Sequence, residues 1–284
     1  MTFSIIVVCL NAGDKLCDTI ESIRSQTEQD YEIIIKDGGS EDEVTRHYLD
    51  RYNREYGGDL VRSEAAGGSI GLYRDSDMGI YDAMNQAVQH IRGDYVLFLN
   101  CGDSLYDNGV LAQVKRQILR AGGQSGRQTE RYIFYGNIYE RRTCAPVQSN
   151  PAIDDFACYR NVPCHQACFY AAALLKEKPF DTSYAVRADY EHFLWCYFEG
   201  GAKTVYMPLT VAFYEGGGFS ETKENVRRSR QEHKEIVGKY MSAAKVRKYR
   251  LIMAITFAPV RTWIARNPFT AKIYQTVKRK LYKR

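Results

Sequence analysis

The sequence lacks the patterns that define several common classes of protein. Its apolar segment at 251–260 contains Pro259 and is followed by Arg261, well short of the ~20 residues that a membrane-spanning helix needs. The first residues carry neither the charged segment nor the cleavage site of a secretory signal, so we expect a cytoplasmic protein. Neither Gly-x-Gly-x-x-Gly nor Gly-x4-Gly-Lys-Ser/Thr occurs. Their absence argues against a dinucleotide-dependent dehydrogenase and against a P-loop enzyme.

Cysteine is present, but without the spacing of a zinc site or of a disulfide framework. The eight cysteines are scattered and several stand within apolar runs, which is typical of reduced thiols in a cytoplasmic protein. Cys164-His165-Gln166-Ala167-Cys168 resembles half of a zinc site. Because no second pair has metal-ligand spacing, the sequence favours free thiols over zinc.

Acidic residues are missing from the C-terminal part of the chain. Residues 245–284 contain twelve Lys or Arg and no Asp or Glu. The whole chain has a net charge of +5, but taking these twelve from its 39 basic residues leaves 27 against 34 acidic ones, a net charge of −7 for residues 1–244. A basic tail on an acidic body indicates that the tail meets an anionic surface. The length of 284 residues permits either one large domain or a domain with such an appendage.

The first third of the chain alternates between short apolar runs and segments with helical spacing. Apolar runs typical of buried strands occupy residues 3–9, 31–36, 60–63 and 95–99. Helical segments lie between them, for example one with Met84, Val88 and Ile91 on a single face. This βαβαβ alternation predicts an α/β protein with a parallel, doubly wound sheet and right-handed crossovers.

Polar side chains follow three of the predicted strands. Asn11 comes after the first strand, Asp37 closes the second, and Asp103 ends the segment Asn100-Cys101-Gly102-Asp103 after the strand at 95–99. Open α/β sheets bind ligands at the carboxyl ends of their strands. We therefore expect Asp37 to contact a ribose or a base edge and Asp103 to hold a divalent metal through its hard oxygens. The alternative is that these residues only form turns, which use the same side chains.

The second half of the chain adds two candidate strands and one further carboxylate. The strands are predicted at 132–139 and 205–213. Asp189 lies near the start of a helix whose apolar side includes Phe193 and Leu194. An Asp in this place often caps the helix, because the first backbone N–H groups lack partners. If it faces a pocket, the same carboxylate can act as a general base.

The end of the tail has the pattern of an amphipathic helix. One face carries apolar residues four positions apart, between many lysines and arginines: Phe269, Ile273, Val277 and Leu281. This pattern is typical of a helix that lies in a membrane interface. The alternative is a helix that packs its apolar face on the domain and exposes its basic face to solvent. We expect no nucleic-acid partner, since no known binding motif accompanies the basic residues.

Several short motifs also occur together in a fixed order. They are Ser4-Ile5-Ile6-Val7-Val8 with Asn11, Ser25-Gln26-Thr27, Asp37-Gly38-Gly39-Ser40, Asp77-Met78-Gly79-Ile80-Tyr81-Asp82-Ala83-Met84-Asn85, Gly93-Asp94-Tyr95, Phe98-Leu99-Asn100-Cys101-Gly102-Asp103, His165-Gln166-Ala167, Ala188-Asp189-Tyr190 and Gly217-Gly218-Phe219-Ser220. With these motifs the chain resembles small bacterial family 2 glycosyltransferases of the GT-A fold, most of all those that build exopolysaccharide of the colanic-acid type, capsule or lipopolysaccharide. The resemblance extends over residues 3–222.

The resemblance implies a fold and a reaction. The fold would be a GT-A, Rossmann-like sheet, mostly parallel but mixed and flanked by helices, in residues 1–222, followed by a basic helical region at 223–284. The reaction would be the inverting transfer of a sugar from a nucleotide diphosphate-sugar, with UDP favoured, to a hydroxyl of a lipid-linked (polyprenyl diphosphate) saccharide. The motifs do not cover the tail, and it is the basic, amphipathic pattern of the tail itself that predicts a location at the inner face of the plasma membrane.

The resemblance also implies roles for individual residues. Asn11, Asp37 and Asp77 would line the pocket of the nucleotide-sugar donor. Asp103 would be the last carboxylate of a DXD-type motif that ties Mn²⁺ or Mg²⁺ to the donor diphosphate, and Asp189 would be the catalytic base. His165 and the turn at 217–220 would border the acceptor and the diphosphate.

The chain departs from the family pattern in its DXD-type motif, and two other functions stay open. In Asn100-Cys101-Gly102-Asp103 the only carboxylate is that of Asp103, so the donor diphosphate would supply the further metal ligands. This departure motivates one alternative, a membrane-bound scaffold that kept the fold and lost the chemistry. The other alternative is a nucleotidyltransferase that makes the activated sugar, although no Gly-rich loop with Lys or Arg stands near the N-terminus.

Overall fold

The structure is a computed structural model that describes residues 1–56, 68–121, 131–217, 222–256 and Thr270. In these residues one sheet contains nine strands: β1 (Phe3–Cys9), β2 (Tyr31–Asp37), β3 (Ser69–Arg74), β4 (Tyr95–Phe98), β5 (Ser104–Leu105), β6 (Tyr132–Glu140), β7 (Ala145–Val147), β8 (Cys168–Ala171) and β9 (Lys203–Tyr214). The described helices are α1 (Asp14–Arg24), α2 (Glu43–Tyr56), α3 (Ile80–Val88), α4 (Val110–Arg120), α5 (Asp155–Arg160), α6 (Ala172–Glu177), α7 (Ala188–Phe198), α8 (Lys223–Tyr240) and α9 (Ala243–Ile255), with a short 3₁₀ helix at His165–Ala167.

The strands lie in the order β3-β2-β1-β4-β8-β6-β9-β5, and β7 pairs with β6. Neighbours among β1, β2, β3 and β4 are parallel, as are β6 and β9. The pairs β4–β8, β6–β8, β6–β7 and β5–β9 are antiparallel. The expected mixed α/β sheet flanked by helices is therefore confirmed. Since β1, β2 and β4 run in the same direction, their carboxyl ends meet at one edge of the sheet.

The apolar runs form these strands because helices cover both faces of the parallel part of the sheet. Every residue of β1 and of β2 is buried. The buried carboxylate of Glu32 accepts hydrogen bonds from Ser4 Oγ (2.6 Å) and from the backbone N–H of Gly93 (3.2 Å). A Cβ at position 93 would lie 2.7 Å from the Ser4 nitrogen, so only glycine lets the chain enter β4 so close to β1.

The structure agrees with most of the predicted elements and corrects one. The strands expected at 3–9, 31–36, 95–99, 132–139 and 205–213 are present with small differences at their ends. The strand expected at 60–63 lies outside the described residues. β3 at Ser69–Arg74, which pairs with β2, was not among the strands expected from the sequence. Gly71 stands between the apolar residues Ile70 and Leu72 of this strand, and glycine is depleted in strands.

The helices after residue 222 pack directly on the preceding part of the chain. α8 buries Glu232, Ile236 and Val237, and α9 lays Tyr249 against Phe156 of α5. The far side of α9 is exposed: 61% of Leu251 and 66% of Ile255 are accessible to solvent. The division of the chain into 1–222 and 223–284 stays a prediction, and α8 is in contact with α7 on the other side of that boundary.

The predicted amphipathic stripe at Phe269, Ile273, Val277 and Leu281 lies outside the described residues. Among the helices that the structure does describe, none combines the length and the apolar character that crossing a bilayer requires.

Candidate active site

The candidate site lies at the edge of the sheet where β1, β2 and β4 end. Register pairs Cys9 with Asp37, the last residues of β1 and β2, and β4 pairs with β1 on its other side. The segments that carry Asn11 and Asp103 leave the sheet at the same edge. The expectation that these polar residues share one edge therefore agrees with the fold.

Asp37 is a buried carboxylate held by its own turn. Its oxygens accept hydrogen bonds from the Ser40 backbone N–H (3.1 Å) and from Ser40 Oγ (2.5 Å), and Arg74 Nε lies 3.7 Å away. Asp37, Ser40, Arg74 and Arg46 line an open cavity of about 400 Å³. This volume is within the range that small-molecule sites occupy.

Asn11 braces the turn that follows β2. Its backbone adopts a positive φ of 49°, and its side-chain oxygen accepts hydrogen bonds from the backbone N–H groups of Glu41 (2.9 Å) and Asp42 (3.2 Å). Asparagine tolerates this left-handed conformation better than most residues. The contacts of the Asn11 oxygen thus hold the loops after β1 and β2 together beside the cavity at Asp37.

Asp77 lies over the end of β2 and pairs with a buried lysine. Lys36 Nζ lies 3.4 Å from Asp77 Oδ2 and donates to the backbone oxygens of Asp37 (3.0 Å) and Asp75. A Cβ at Gly38 would lie 2.5 Å from Asp77 Oδ2, so this glycine makes room for the carboxylate. Asp37 and Asp77, both predicted to line the pocket of the nucleotide-sugar, therefore lie close together, and Lys36 contacts both residues.

Asp103 is buried at the end of the turn after β4. Gln166 Nε2 donates to its Oδ2 (2.9 Å) and the Glu215 backbone N–H donates to its Oδ1 (2.9 Å). Burial raises the pKa of the Asp103 carboxyl above its ordinary value, although both hydrogen bonds act in the opposite direction. Gly102, with φ of 97°, lets the Glu215 side chain lie against the turn, where Lys15 pairs with it at 2.9 Å.

Asp189 stands at the start of α7 but does not occupy its N-cap position, which is held by Arg187. Its Oδ1 accepts from the Tyr81 hydroxyl (2.8 Å), and its Oδ2 lies 3.1 Å from His165 Nδ1. Burial acts to raise the pKa of Asp189, but the hydrogen bonds from His165 and Tyr81 and the charge of His165 outweigh it and lower the pKa. About a quarter of the side chain (25%) is exposed, so an approaching hydroxyl can reach it.

A single short turn connects the two carboxylates. In the 3₁₀ helix His165–Ala167, the ring of His165 contacts Asp189 and the amide of the next residue, Gln166, contacts Asp103. His165 Nε2 also lies 3.3 Å from Nδ2 of Asn100. Adjacent residues of one turn thus set the separation of the two acidic groups.

The residues around Asp103 fit a hard divalent cation when a ligand supplies more oxygens. Asn100 Oδ1 is buried and has no hydrogen-bond partner in the described part of the chain, and Asp103 offers the one carboxylate of the motif. Carboxylate and amide oxygens are the donors that Mg²⁺ and Mn²⁺ accept. Within the described ranges no three His, Cys, Asp or Glu side chains surround a common point. The protein side of such a site is therefore incomplete without a ligand.

Comparison with known proteins identifies the family. Residues 4–143 match the family model described as Glycosyl transferase family 2. A relative from Mycobacterium tuberculosis, named PGL/p-HBAD biosynthesis glycosyltransferase, is 35% identical over 222 residues, which are 78% of this chain and 79% of the relative. The chain belongs to glycosyltransferase family 2. A further M. tuberculosis relative, an uncharacterized glycosyltransferase, is 30% identical over 198 residues, 68% of each chain.

Solved structures of other glycosyltransferases share the fold. S. aureus TarS in complex with UDP has a TM-score of 0.61 at 13% identity, over 94% of this chain and 75% of that one. The mannosyltransferase PcManGT from Pyrobaculum calidifontis, in complex with GDP-Man and Mn²⁺, has a TM-score of 0.55 at 14% identity, over 99% of this chain and 88% of that one. The GT-A architecture expected from the sequence is confirmed, and the protein is a transferase of this family.

Several residues that build this family 2 site were not assigned a role from the sequence. Lys36 is one, although a lysine inside the run Tyr31-Glu32-Ile33-Ile34-Ile35-Lys36 is an available signal. Tyr81 and Gln166 stand within the quoted motifs, but their partners Asp189 and Asp103 are distant in sequence. Of the predicted turn at 217–220, Gly218, Phe219 and Ser220 lie outside the described residues.

Proposed function

We propose that this protein is an inverting, metal-dependent glycosyltransferase. It moves a sugar from a UDP-sugar to a hydroxyl of a lipid-linked saccharide at the cytoplasmic face of the membrane, in the synthesis of a bacterial surface polysaccharide. The observation that carries the proposal is the pair Asp103 and Asp189, held apart by the consecutive residues His165 and Gln166. One carboxylate is available to a cation and the other to a proton.

On this proposal, the donor occupies the edge formed by β1, β2 and β4. The nucleoside lies in the cavity beside Asp37, where the buried carboxylate and Arg74 offer groups of both charges to a base or a ribose. Lys36 keeps Asp77 over Gly38, next in sequence to Ser76, which lines this cavity. UDP is favoured because TarS, which shares the fold, has been solved in complex with UDP.

Asp189 acts as the general base. His165 and Tyr81 lower its pKa, which keeps the carboxylate ionised at neutral pH and ready to accept the proton of the acceptor hydroxyl. The hydroxyl oxygen attacks the anomeric carbon while the bond to the diphosphate breaks. The bonding electrons leave with the diphosphate, the proton goes to Asp189, and the single displacement inverts the anomeric centre.

Asp103 and Asn100 would hold a divalent cation together with the donor diphosphate. When bound, the cation would neutralise the negative charge that develops on the leaving group. Gln166 and the Glu215 backbone N–H keep the Asp103 carboxylate in place for this purpose. Since these two donors are neutral, they orient the carboxylate without replacing the cation.

The membrane part of the proposal depends on α9. Leu251 and Ile255 are exposed on it, and Arg247, Lys248 and Arg250 are exposed on the same helix. A helix that presents apolar and basic side chains together binds anionic lipid surfaces. The start of α9 is occupied by protein contacts, since Lys245 pairs with Asp155 (2.5 Å) and Tyr249 packs on α5.

The proposed transfer is tested with donor alone. Calorimetry with UDP, GDP, dTDP and CMP, each with and without Mn²⁺, should give binding that is strongest for UDP and requires the metal. Release of UDP from UDP-glucose, UDP-galactose or UDP-GlcNAc then reports turnover with water as the acceptor. Absence of both binding and release would support the inactive scaffold instead. Formation of diphosphate from a sugar phosphate and UTP would support a nucleotidyltransferase.

The membrane proposal has its own test. Sedimentation with vesicles of phosphatidylglycerol should retain the full chain, and vesicles of phosphatidylcholine should not. The double variant Leu251→Glu/Ile255→Glu should lower binding by roughly tenfold or more, because two exposed apolar contacts are lost and two negative charges face anionic lipid. The variant Val44→Glu, at an exposed apolar residue of α2, is the matched control. Equal binding of all three proteins would refute the membrane role of α9.

A further inference from the structure

Glu232 of α8 places a buried carboxylate at the start of α7, the helix that carries Asp189. Glu232 is almost completely buried. Its oxygens accept hydrogen bonds from the backbone N–H groups of Ala185 (3.0 Å), Val186 (3.0 Å) and Arg187 (2.9 Å). Arg228, one turn earlier on α8, donates to the same carboxylate at 2.9 Å. The three residues directly before α7 are therefore tied to one side chain that lies outside the region matched by the family model.

The tied backbone is in contact with the proposed base through Tyr81. The Tyr81 hydroxyl lies 2.9 Å from the backbone oxygen of Val186 and 2.8 Å from Oδ1 of Asp189. Val186 belongs to the segment that Glu232 holds, and Asp189 follows it three residues later, in the first turn of α7. A displacement of 185–187 would move the carbonyl of Val186 and change the hydrogen bond that Tyr81 gives to Asp189.

Further contacts join α8 to α7 independently of Glu232. Arg187 Nε donates to Ser229 Oγ at 2.7 Å, and the ring of His233 stacks on Tyr190 with 5.2 Å between centroids. Near the other end of α8, Lys239 and Tyr240 bind the fully buried carboxylate of Glu191, at 2.6 and 2.5 Å. α7 and the residue before it are consequently in contact with both the first half and the last turn of α8.

We propose that Glu232 is a positioning residue of the transfer reaction, which holds the start of α7 so that Tyr81 and Asp189 keep the alignment in which Asp189 accepts the proton. This inference rests on the proposed role of Asp189 as the base. It assigns to α8, in the region 223–284, a part in the chemistry of the site. A carboxylate at this place also agrees with the partial positive charge of a helix N-terminus.

The test compares the same substitution at two positions of α8. Glu232→Gln removes the charge and sets an amide against N–H donors, whereas Glu235→Gln changes an exposed side chain that accepts a hydrogen bond from Gln231 on the same helix. The assay is the release of UDP from the UDP-sugar that wild type turns over fastest, with Mn²⁺ present. We expect Glu232→Gln to lower kcat roughly 5- to 30-fold and to leave the KM for donor within about twofold. Glu235→Gln should behave as wild type.

The pH profile separates positioning from loss of stability. The titratable groups that face Asp189 are His165, Tyr81 and the buried Cys164, Cys168 and Tyr170. Loosening the Tyr81 hydrogen bond should raise the pKa of Asp189, so the acidic limb of the kcat profile should move to higher pH. Ile236→Val, which only removes a buried methyl group of α8, should lower the melting temperature without moving this limb.

Coupling to Tyr81 gives the decisive result. If Glu232 acts through Tyr81, the variant Tyr81→Phe should reproduce the shift of the limb, and the double variant Glu232→Gln/Tyr81→Phe should add little to either single one. Ser229→Ala, which removes the neighbouring contact of α8 with the Arg187 side chain, should shift the limb in the same direction by less. A lower melting temperature with an unchanged limb, or fully additive losses, would overturn the proposal.

Asp189→Asn distinguishes this inference from the proposed function. If that variant keeps its turnover, the assignment of the base fails. Glu232 is then judged by hydrogen exchange of the amides at 185–187, which must be faster in Glu232→Gln than in Glu235→Gln if Glu232 holds this segment. Unchanged exchange would refute the positioning role whatever residue is the base.

Discussion

Asp103 and Asp189 lie on either side of one short turn, yet their surroundings act on them in opposite directions. Asp103 is buried among neutral donors and close to the carboxylate of Glu215, and its pKa is raised. Asp189 is half-buried between His165 and Tyr81, and its pKa is lowered. Burial raises the pKa of both groups, so the partners decide the sign of the net shift.

The opposite pKa shifts of Asp189 and Asp103 change the stability of the fold in different pH ranges. Asp189, with a lowered pKa in the folded state, stabilises the fold at pH values above its unfolded pKa, and this contribution is lost as the pH falls through its folded pKa. Asp103, with a raised pKa, favours the fold most at pH values below its unfolded pKa and loses that contribution as the pH rises through its folded pKa. A cation bound at Asp103 would favour the ionised carboxylate and so act against the effect of burial.

The largest expected effect is at Asp189. Asp189→Asn keeps the size of the side chain but cannot accept a proton, so transfer should fall about 10²- to 10⁴-fold. UDP binding with Mn²⁺, measured by calorimetry, should not change because the donor edge is untouched. Asp181→Asn, at a carboxylate that binds only its own turn at Ser183 among the hydrogen bonds described, is the control. Transfer at the wild-type rate would show that the base is another group.

Asp103→Asn should affect the binding of the cation and, through it, the binding of UDP. Without the carboxylate, we expect the gain in UDP affinity produced by Mn²⁺ to fall by roughly tenfold or more, since the protein loses its one charged metal ligand of the motif. UDP affinity without metal should stay the same. Calorimetry with and without Mn²⁺ measures both quantities, and Asp107→Asn in the following turn is the control. A full metal effect in Asp103→Asn would place the cation elsewhere.

The sequence predicts the edge formed by β1, β2 and β4, where the donor is proposed to bind, better than it predicts the surroundings of Asp189. Phe3–Cys9 and Tyr31–Asp37 are continuous apolar runs, and parallel pairing brings Asn11 and Asp37 together once the βαβ alternation is known. Residues 69–74 were not predicted as a strand, because an edge strand with Gly71 lacks a strong apolar pattern. The pattern of the chain thus fixes which strand ends meet, while the family resemblance supplied the roles of Asp77 and Asp189.

What the sequence did not reveal depends on contacts between distant segments. Asp189 meets His165 and Tyr81 only because α7, the 3₁₀ turn and α3 converge. Lys36 stands out at the end of an apolar run, but its partner Asp77 does not follow from the sequence. Glu232 looks like an ordinary charged residue in sequence, and only burial beside fixed partners gives it a structural role. Local periodicity carries no signal for such pairs, so their geometry had to come from the structure.

His165 should influence the Asp189 side and spare the Asp103 side. In His165→Gln the ring next to Asp189 is lost, the pKa of Asp189 should rise, and the acidic limb of transfer should move to higher pH. At neutral pH we expect a loss of roughly 3- to 30-fold in transfer. Metal-dependent UDP binding should be retained. His47→Gln, at an exposed position of α2, is the control. An unmoved limb would contradict the assigned contact.

Gln166→Leu should influence the Asp103 side and spare the Asp189 side, the reverse of His165→Gln. We expect it to have the smallest effect of these variants. Gln166→Leu removes the amide that donates to Asp103 Oδ2, so the pKa of Asp103 should rise further above its ordinary value. A proton then competes better with the cation, and we expect the UDP affinity in Mn²⁺ to fall about 3- to 10-fold, more at acidic than at neutral pH. The acidic limb of kcat at saturating donor should stay where wild type has it, because Asp189 keeps both partners. Gln231→Leu, on the exposed side of α8, controls for the added apolar surface. If His165→Gln and Gln166→Leu instead changed the same quantity, the turn would act as one unit and the separation between the two carboxylates would be lost.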